Sequence, residues 1–399
     1  MMHSTSLAKY ASVVITLALF VGIGWAAFGT VRVVAEPKAA YTNEWPIIID
    51  GNSELATFIA AKGLSGDGTQ NTPYSIANLN ITGNTSVEAL ILISNTNAYF
   101  NISSCLLLAN SANHSIMLVN VTNAVIWNNT IQSALYAGIY VYNSANIVIK
   151  ENVISQCGAP GDRGSPGTII SYGISTLMCT NLLIEANEVF NNNRGIGVKT
   201  DTNSQVVGNK VHENTYGVWV FGDSIGTLVK LNEIFNLING SALKLESSTF
   251  INISQNSLFN TTDFAIEIRS GFMDSIISKN NIFGSTSDDW TGAPLLSPQL
   301  LNVTFSENYW GDPTWNGTGA YINFLGIIDS TPVLTPYNYG HNIPAAVTYA
   351  SPQTTQSTTS STTSSSNPDD EKKIPGFPIL ILLGILASTS LLLSKRFRK

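Results

Sequence analysis

Charge is scarce in this chain. Aspartate, glutamate, lysine and arginine make up 11% of its 399 residues, well under half the share usual in soluble domains. What charge there is sums to −7, which gives no reason to expect nucleic acid as a partner. Histidine is nearly as rare. His3, His114, His212 and His341 are widely scattered, as are Met117, Met178 and Met273. No pair of them has ligand spacing, so neither a metal nor a cofactor is expected. The three cysteines, Cys105, Cys157 and Cys179, are an odd number, which excludes a complete disulfide framework. They read as packing residues.

Asparagine, serine and threonine take the place of the missing charge, and the asparagines recur. The pattern Asn-x-apolar starts at Asn129, Asn152, Asn187, Asn209, Asn232, Asn256, Asn280 and Asn308, with spacings of 23, 35, 22, 23, 24, 24 and 28. A period in the twenties is the signature of a solenoid. A second pattern runs in phase. A small residue (Ser115, Gly138, Gly173, Gly195, Gly217, Ala242, Ala265) is followed one and three places on by apolar residues such as Ile139/Val141 and Val218/Val220. That alternation describes a strand with one face buried. A third strand falls between the two, as at Ile147–Ile149, Leu182–Ile184, Leu228–Leu231 and Phe250–Ile253. The fold expected is all-β, a parallel β-helix of about nine or ten coils. Coils stack about 4.8 Å apart, the spacing at which identical amides bond to one another, so the eight asparagines are expected to form a structural ladder.

The chain divides around this repeat. Residues 41–78 are expected to cap the open end of the solenoid, 79–312 to form the coils, and 313–345 to cap the far end. Two insertions break the period, at Cys157–Thr168 and at Gly284–Leu300, the second holding Asp288-Asp289-Trp290. Insertions of this kind land on the surface of a solenoid. Residues 346–373 include a Ser/Thr-rich run that cannot bury a core and reads as a stalk. Residues 1–35 hold an apolar run that fits either a signal peptide or an N-terminal membrane anchor. Residues 374–394 are apolar enough to span a bilayer, and Lys395, Arg396, Arg398 and Lys399 behind them place that end in the cytoplasm. The expected partner at this end is therefore a membrane, with the body outside the cell.

Candidate ligand-binding residues lie two and four places past each small residue, where side chains should face outward. In order they are Tyr140/Tyr142, Ser175/Leu177, Gly197/Lys199, Trp219/Phe221, Lys244/Glu246 and Glu267/Arg269. Stacked in parallel they form two columns in which aromatic rings give way to charges. Sugars stack on exposed rings and bond to neighbouring charged groups, so the columns read as a polysaccharide- or glycan-binding groove. Lys244 with Glu267, and Glu246 with Arg269, read as surface ion pairs. Asp162 and Arg163, in the long insertion, are placed to wall the groove. Eleven Asn-x-Ser/Thr sequons also occur, at Asn80, Asn84, Asn101, Asn113, Asn120, Asn128, Asn239, Asn252, Asn260, Asn302 and Asn316.

The Asn-x-apolar and Gly-Ile patterns, with Asn308-Tyr309-Trp310-Gly311-Asp312 near their end, resemble right-handed parallel β-helix proteins of the NosD-like class, a set that includes carbohydrate-binding and sugar-hydrolysing β-helices. The resemblance implies a right-handed coil, and the two apolar runs read above are expected to flank it with an apolar helix at each end. Pro375-Gly376-Phe377, an apolar run and a basic tail resemble the PGF-CTERM signal of archaeal surface proteins, which implies exchange of the helix for a lipid; retention as a plain anchor stays open. Polygalacturonases of this fold carry Asn-Thr-Asp, Asp-Asp and Gly-His-Gly on successive coils, and pectate lyases carry calcium-binding acids with an arginine base. Neither set is complete here. The expected function is cell-surface glycan binding or adhesion without catalysis. An extracellular polysaccharide lyase or glycoside hydrolase, and a structural cell-envelope protein, are the alternatives.

Overall fold

The computed structural model describes residues 41–158, 171–283, 291–292, 302–311, 321–322 and 328–341. The apolar runs expected at 1–35 and 374–394, the stalk, and the Asp162–Arg163 loop lie outside them. No helix among the described residues is long and apolar enough to cross a membrane.

Three long sheets, of ten, ten and twelve strands, run the length of the solenoid, parallel except for the last pair of the twelve, and a three-stranded sheet forms beside them. Each coil contributes one strand to each long sheet. In sheet A the residue two places past each ladder asparagine pairs with its counterpart one coil on: Ile131 with Ile154, then Val189, Val211, Ile234, Leu258 and Ile282. In sheet B the pairing runs Ile139, Ile174, Ile196, Val218, Leu243 and Ile266. All of these side chains are buried. A parallel stack in strict register places like residues at the same height, so the period in the sequence is the stack itself. Sheet C begins three of its four expected strands one or two residues later than the sequence pattern suggests, and the fourth, at Leu228, where expected. Its strands are Val148–Lys150, Leu183–Glu185, Leu228–Lys230 and Asn252–Ser254. Phe250, expected within a strand, is 64% exposed and left-handed at φ 57°. It belongs to the corner before the strand.

The corner between sheets C and A carries the asparagine ladder. Nδ2 of Asn129 donates to Oδ1 of Asn152 at 2.9 Å, and the bond repeats through Asn187, Asn209, Asn232, Asn256, Asn280 and Asn308 at 2.9–3.0 Å. Each Oδ1 also accepts the backbone N–H of the preceding ladder residue, as Asn232 Oδ1 does from Asn209 N at 2.9 Å. Each Nδ2 reaches a carbonyl as well, as Asn232 does Val206 O at 2.8 Å. Both amide hydrogens and the oxygen are thus satisfied in a place without water. The ladder runs one rung past Asn308. Its last acceptor is Asp329 Oδ2, which takes Asn308 N, Asn308 Nδ2 and Trp310 Nε1, each at 3.0 Å. The residue before every ladder asparagine (Asn128, Glu151, Ala186, Gly208, Leu231, Gln255, Lys279, Glu307) is left-handed, with φ between 52° and 64°. That conformation costs a non-glycine residue about 1 kcal/mol, which the ladder bonds beside it offset.

The N-terminal segment supplies more than a cap. Thr42–Glu44, Ile47–Asp50 and Tyr74–Ala77 are already the first strands of sheets A, B and C. Between them stands a helix absent from the sequence expectation, α1 (Gly51–Ala61), which buries Leu55 and Ile59. Its weak amphipathic pattern, inside a stretch dominated by strand signals, hides it. At the far end, the antiparallel pair Tyr321–Ile322 and Ile328–Asp329 joins sheet C. The following residues then climb across sheet A. Tyr337 N donates to Asn281 Oδ1 at 2.8 Å, and the His341 ring bonds Ser257 Oγ at 2.8 Å and Leu231 O at 3.1 Å. Phe190, His212, Phe235, Phe259 and Phe283 stack in one column on that face at 5.0–5.4 Å. Phe259 and Phe283 are buried.

Candidate functional site

The candidate site is the outer face of sheet B. The register that stacks Ile139 on Ile174 also aligns Tyr140, Ser175, Gly197, Trp219, Lys244 and Glu267 in one column. Tyr142, Leu177, Lys199 and Phe221 align in the next. A third column, which the sequence reading did not contain, holds Ala137, Tyr172, Arg194 and Tyr216. These residues directly precede Gly138, Gly173, Gly195 and Gly217. Simple alternation assigns the residue before a glycine to the same face as the isoleucine after it. The paired register skips the glycines, however, so two successive positions face inward and the residue before them turns out. A Cβ on Gly217 would stand 2.3 Å from Ala242 O, so the glycine is needed where the backbones approach. A tyrosine or arginine directly before Gly173, Gly195 and Gly217 was the available signal.

At one end of the face Tyr140 stacks beside Tyr142, with ring centres 6.5 Å apart and planes 4° from parallel. His114 lies 5.0 Å from Tyr140 and 5.8 Å from Tyr136. Burial pushes the His114 imidazole down to about 4, against the opposing pull of Glu88. It is therefore neutral at physiological pH.

The chemistry concentrates three coils on. Trp219 and Phe221 stack at 4.3 Å. Arg194, only 4% exposed, places its guanidinium carbon 5.5 Å from the centre of Tyr172, 5.6 Å from Tyr216 and 5.2 Å from Trp219. Its NH1 donates to Asn193 Oδ1 at 3.2 Å. The Lys244 ammonium stands 4.2 Å from the Trp219 ring centre and 5.2 Å from Tyr216. Lys199 is exposed, with its ammonium 5.5 Å from Phe221. Arg194 Nε and Trp219 Nε1 are buried and have no hydrogen-bond partner among the described residues. Leaving two buried donors unpaired costs about 1–3 kcal/mol each, which an acceptor arriving from outside would recover.

Glu267 does not face solvent as expected. It is 2% exposed. Its Oε1 accepts Arg269 Nε at 2.6 Å and lies 3.8 Å from Lys244 Nζ, while its Oε2 accepts Ser241 Oγ at 2.8 Å. The pair of Lys244 and Glu267 is therefore a buried one, not a surface pair. Arg269 turns back along its own strand to Glu267 and not across to Glu246. Strand Thr291–Gly292 pairs alongside Glu267, which removes it from the open end of the column. Burial holds the Lys244 ammonium below the usual lysine range, with Glu267 pulling the other way. Asp162 and Arg163, the expected wall, lie outside the described residues, as do Asp288 and Asp289.

No pair of free carboxylates faces this platform among the residues described. Asp201, raised to about 6 chiefly by burial, is spent inside the solenoid on Thr176 Oγ1 at 2.6 Å, Cys179 N at 2.8 Å and Ser204 Oγ at 3.2 Å. The three cysteines are buried thiols outside any disulfide, and burial pushes the Cys157 and Cys179 thiols up to about 12. No cluster of three metal-ligating side chains occurs among the described residues. A depression lined by Gln70, Tyr99, Asn123, Ala124, Val125 and Asn146 carries no charged group.

Comparison with known proteins bears on the fold. No curated protein matches the chain. Among solved structures, the chain is similar to the A-module of mannuronan C-5 epimerase AlgE6 of Azotobacter vinelandii, at 15% identity and a TM-score of 0.46, covering 58% of this chain and 64% of that one. It is similar to a DFA-IIIase of Arthrobacter chlorophenolicus A6 without its lid, at 12% identity and a TM-score of 0.45, covering 67% and 96%. It is also similar to an endo-xylogalacturonan hydrolase of Aspergillus tubingensis, at 12% and 0.40, covering 58% and 74%. The chain thus spans less than two thirds of the epimerase module. Residues 89–282 match the family model described as the right handed beta helix region, a stretch that holds the sheet B strands from Ala89–Thr96 to Ile266–Ile268.

Proposed function

We propose that the outer face of sheet B binds glycans without cleaving them, and that it favours glycans bearing carboxylates. The observation that carries this reading is the Arg194–Trp219 cluster. The partly exposed rings of Tyr216, Trp219 and Phe221 offer apolar surface for sugar faces, and two buried N–H donors beside them await acceptors. Arg194, Lys199, Lys244 and Arg269 outnumber the two carboxylates of the same face, Glu246 and Glu267, in a chain whose net charge is −7. Local positive charge on an acidic protein selects for an anionic ligand. Retaining and inverting glycoside hydrolysis both need two carboxyl groups flanking the bond; Glu267 is held by three neighbours and has no opposed partner among the described residues.

The same reading places the solenoid at the cell surface, held by the apolar run at 374–394 with its basic tail inside. The PGF-CTERM resemblance and the NosD-like resemblance belong to this proposal. An array of neutral and uronate-containing oligosaccharides, probed with the full chain, tests it. Binding to uronate-containing members that weakens as salt rises supports the reading. Depolymerisation of any member overturns it in favour of a lyase or hydrolase, and binding to none favours a structural envelope protein.

A further inference from the structure

The eleven sequons are unevenly placed. Six lie between Asn80 and Asn128 and five between Asn239 and Asn316. The stretch 129–238 holds fourteen asparagines and no sequon. That bare stretch supplies Ala137–Tyr142, Tyr172–Leu177, Arg194–Lys199 and Tyr216–Phe221, the four middle strands of the sheet B face.

The flanking sequons are accessible to different degrees. Asn84-Thr85-Ser86 forms a loop between Leu79–Thr82 and Ala89–Thr96, with all three residues exposed. Asn84 Oδ1 accepts Ser86 N at 2.9 Å, and its Nδ2 donates to no described residue. Asn239 and Asn252 are also exposed. At Asn120, Asn128, Asn260 and Asn302, likewise exposed, Nδ2 donates one bond, to Asn95, Ser104, Asn236 and Asp274 respectively. A glycosylated amide keeps one N–H, so that single bond survives modification. The ladder asparagines differ, because both of their amide hydrogens are used. Asn128 and Asn129 stand side by side, the first exposed and the second sealed inside.

We propose that the end coils of the solenoid are N-glycosylated, with Asn84 as the leading acceptor, and that the four middle coils are left bare. The donor is an oligosaccharide activated on a lipid phosphate. Asparagine Nδ2 forms the bond to sugar C1, the C1–O bond to phosphate breaks, and one amide proton leaves with the phosphate. Sequons act as acceptors in secreted chains, and the bare window keeps such bulk off the Arg194–Trp219 platform. The occupancy itself does not depend on what that platform binds.

Glycopeptide mass spectrometry on the full chain, isolated from the cells that make it, decides the matter without any ligand. The peptide holding Asn84 carries a discrete glycan mass, lost in Asn84→Gln, and peptides from 129–238 appear at their sequence masses. The proposal is overturned if the peptides holding Asn84, Asn239, Asn252 and Asn302 all appear at their sequence masses, or if an asparagine within 129–238 carries sugar.

Discussion

Two buried titratable residues pull the stability of this protein in opposite directions with pH. His114 has its pKa lowered from 6.5 to about 4. The unfolded chain therefore binds the extra proton between those values, and this contribution to stability is lost as pH falls from 6.5 to 4. Asp201 has its pKa raised from 3.8 to about 6. There the folded chain binds the proton, and stability falls as pH rises from 3.8 to 6. Each shift corresponds to about 3 kcal/mol, so the contributions of these two residues largely cancel between pH 4 and 6. Asp201→Asn keeps the shape and is uncharged like the protonated acid; its Oδ1 still accepts from Cys179 N, and its amide N–H groups face the Thr176 and Ser204 hydroxyl oxygens. Denaturant melts of that variant should then reveal the slope of His114 alone, with about 3 kcal/mol lost on going from pH 6.5 to 4. A flat profile for the variant would contradict the assignment. At Glu267 the expected change is loss of an anchor for two cations. Glu267→Gln should cost about 2 kcal/mol in urea unfolding, reduced from the value for a fully buried pair because Arg269 is half-exposed.

The asparagine corner shows why much of the fold is legible in the chain and part of the site is not. A ladder works only if the same group returns at every coil, so Asn129 to Asn308 leave a periodic trace. Its end does not. Asp329 performs the same role with a different residue type, and only the 21-residue step from Asn308 hints at it. The site column of Tyr172, Arg194 and Tyr216 escapes for another reason. Alternation through a strand assumes an unbroken pleat, and Gly173, Gly195 and Gly217 break it by one residue. Helix α1 is missed because its burial is confined to Leu55 and Ile59. The ladder makes its own prediction. Asn232→Asp replaces the donor that reaches Val206 O and Asn256 Oδ1 with a buried acceptor, and should destabilise by about 3–5 kcal/mol. Hydrogen exchange would locate the loss at strands Lys210–His212 through Ser257–Thr261. Protection equal to wild type there would show that the ladder contributes nothing.

At the scale of the whole molecule, a solenoid must hide the unpaired edges at its ends, and this one does so with α1 at the first coil and the 328–341 strap at the last. Leu55→Asp puts a charge into the contact between α1 and the first coils. It should produce concentration-dependent oligomers in light scattering while the central coils stay protected. A strictly monomeric variant would place the protection elsewhere. Between the two ends the molecule presents one face that is aromatic and cationic, and the account turns on what that face holds. Calorimetric titration of the full chain with a uronate-containing oligosaccharide, repeated with Trp219→Ala and Arg194→Gln, tests this most directly. Saturable, salt-sensitive binding is expected of the wild type, with loss of at least about tenfold in affinity in each variant while the circular dichroism of the fold is unchanged. Equal affinity in wild type and both variants would contradict it.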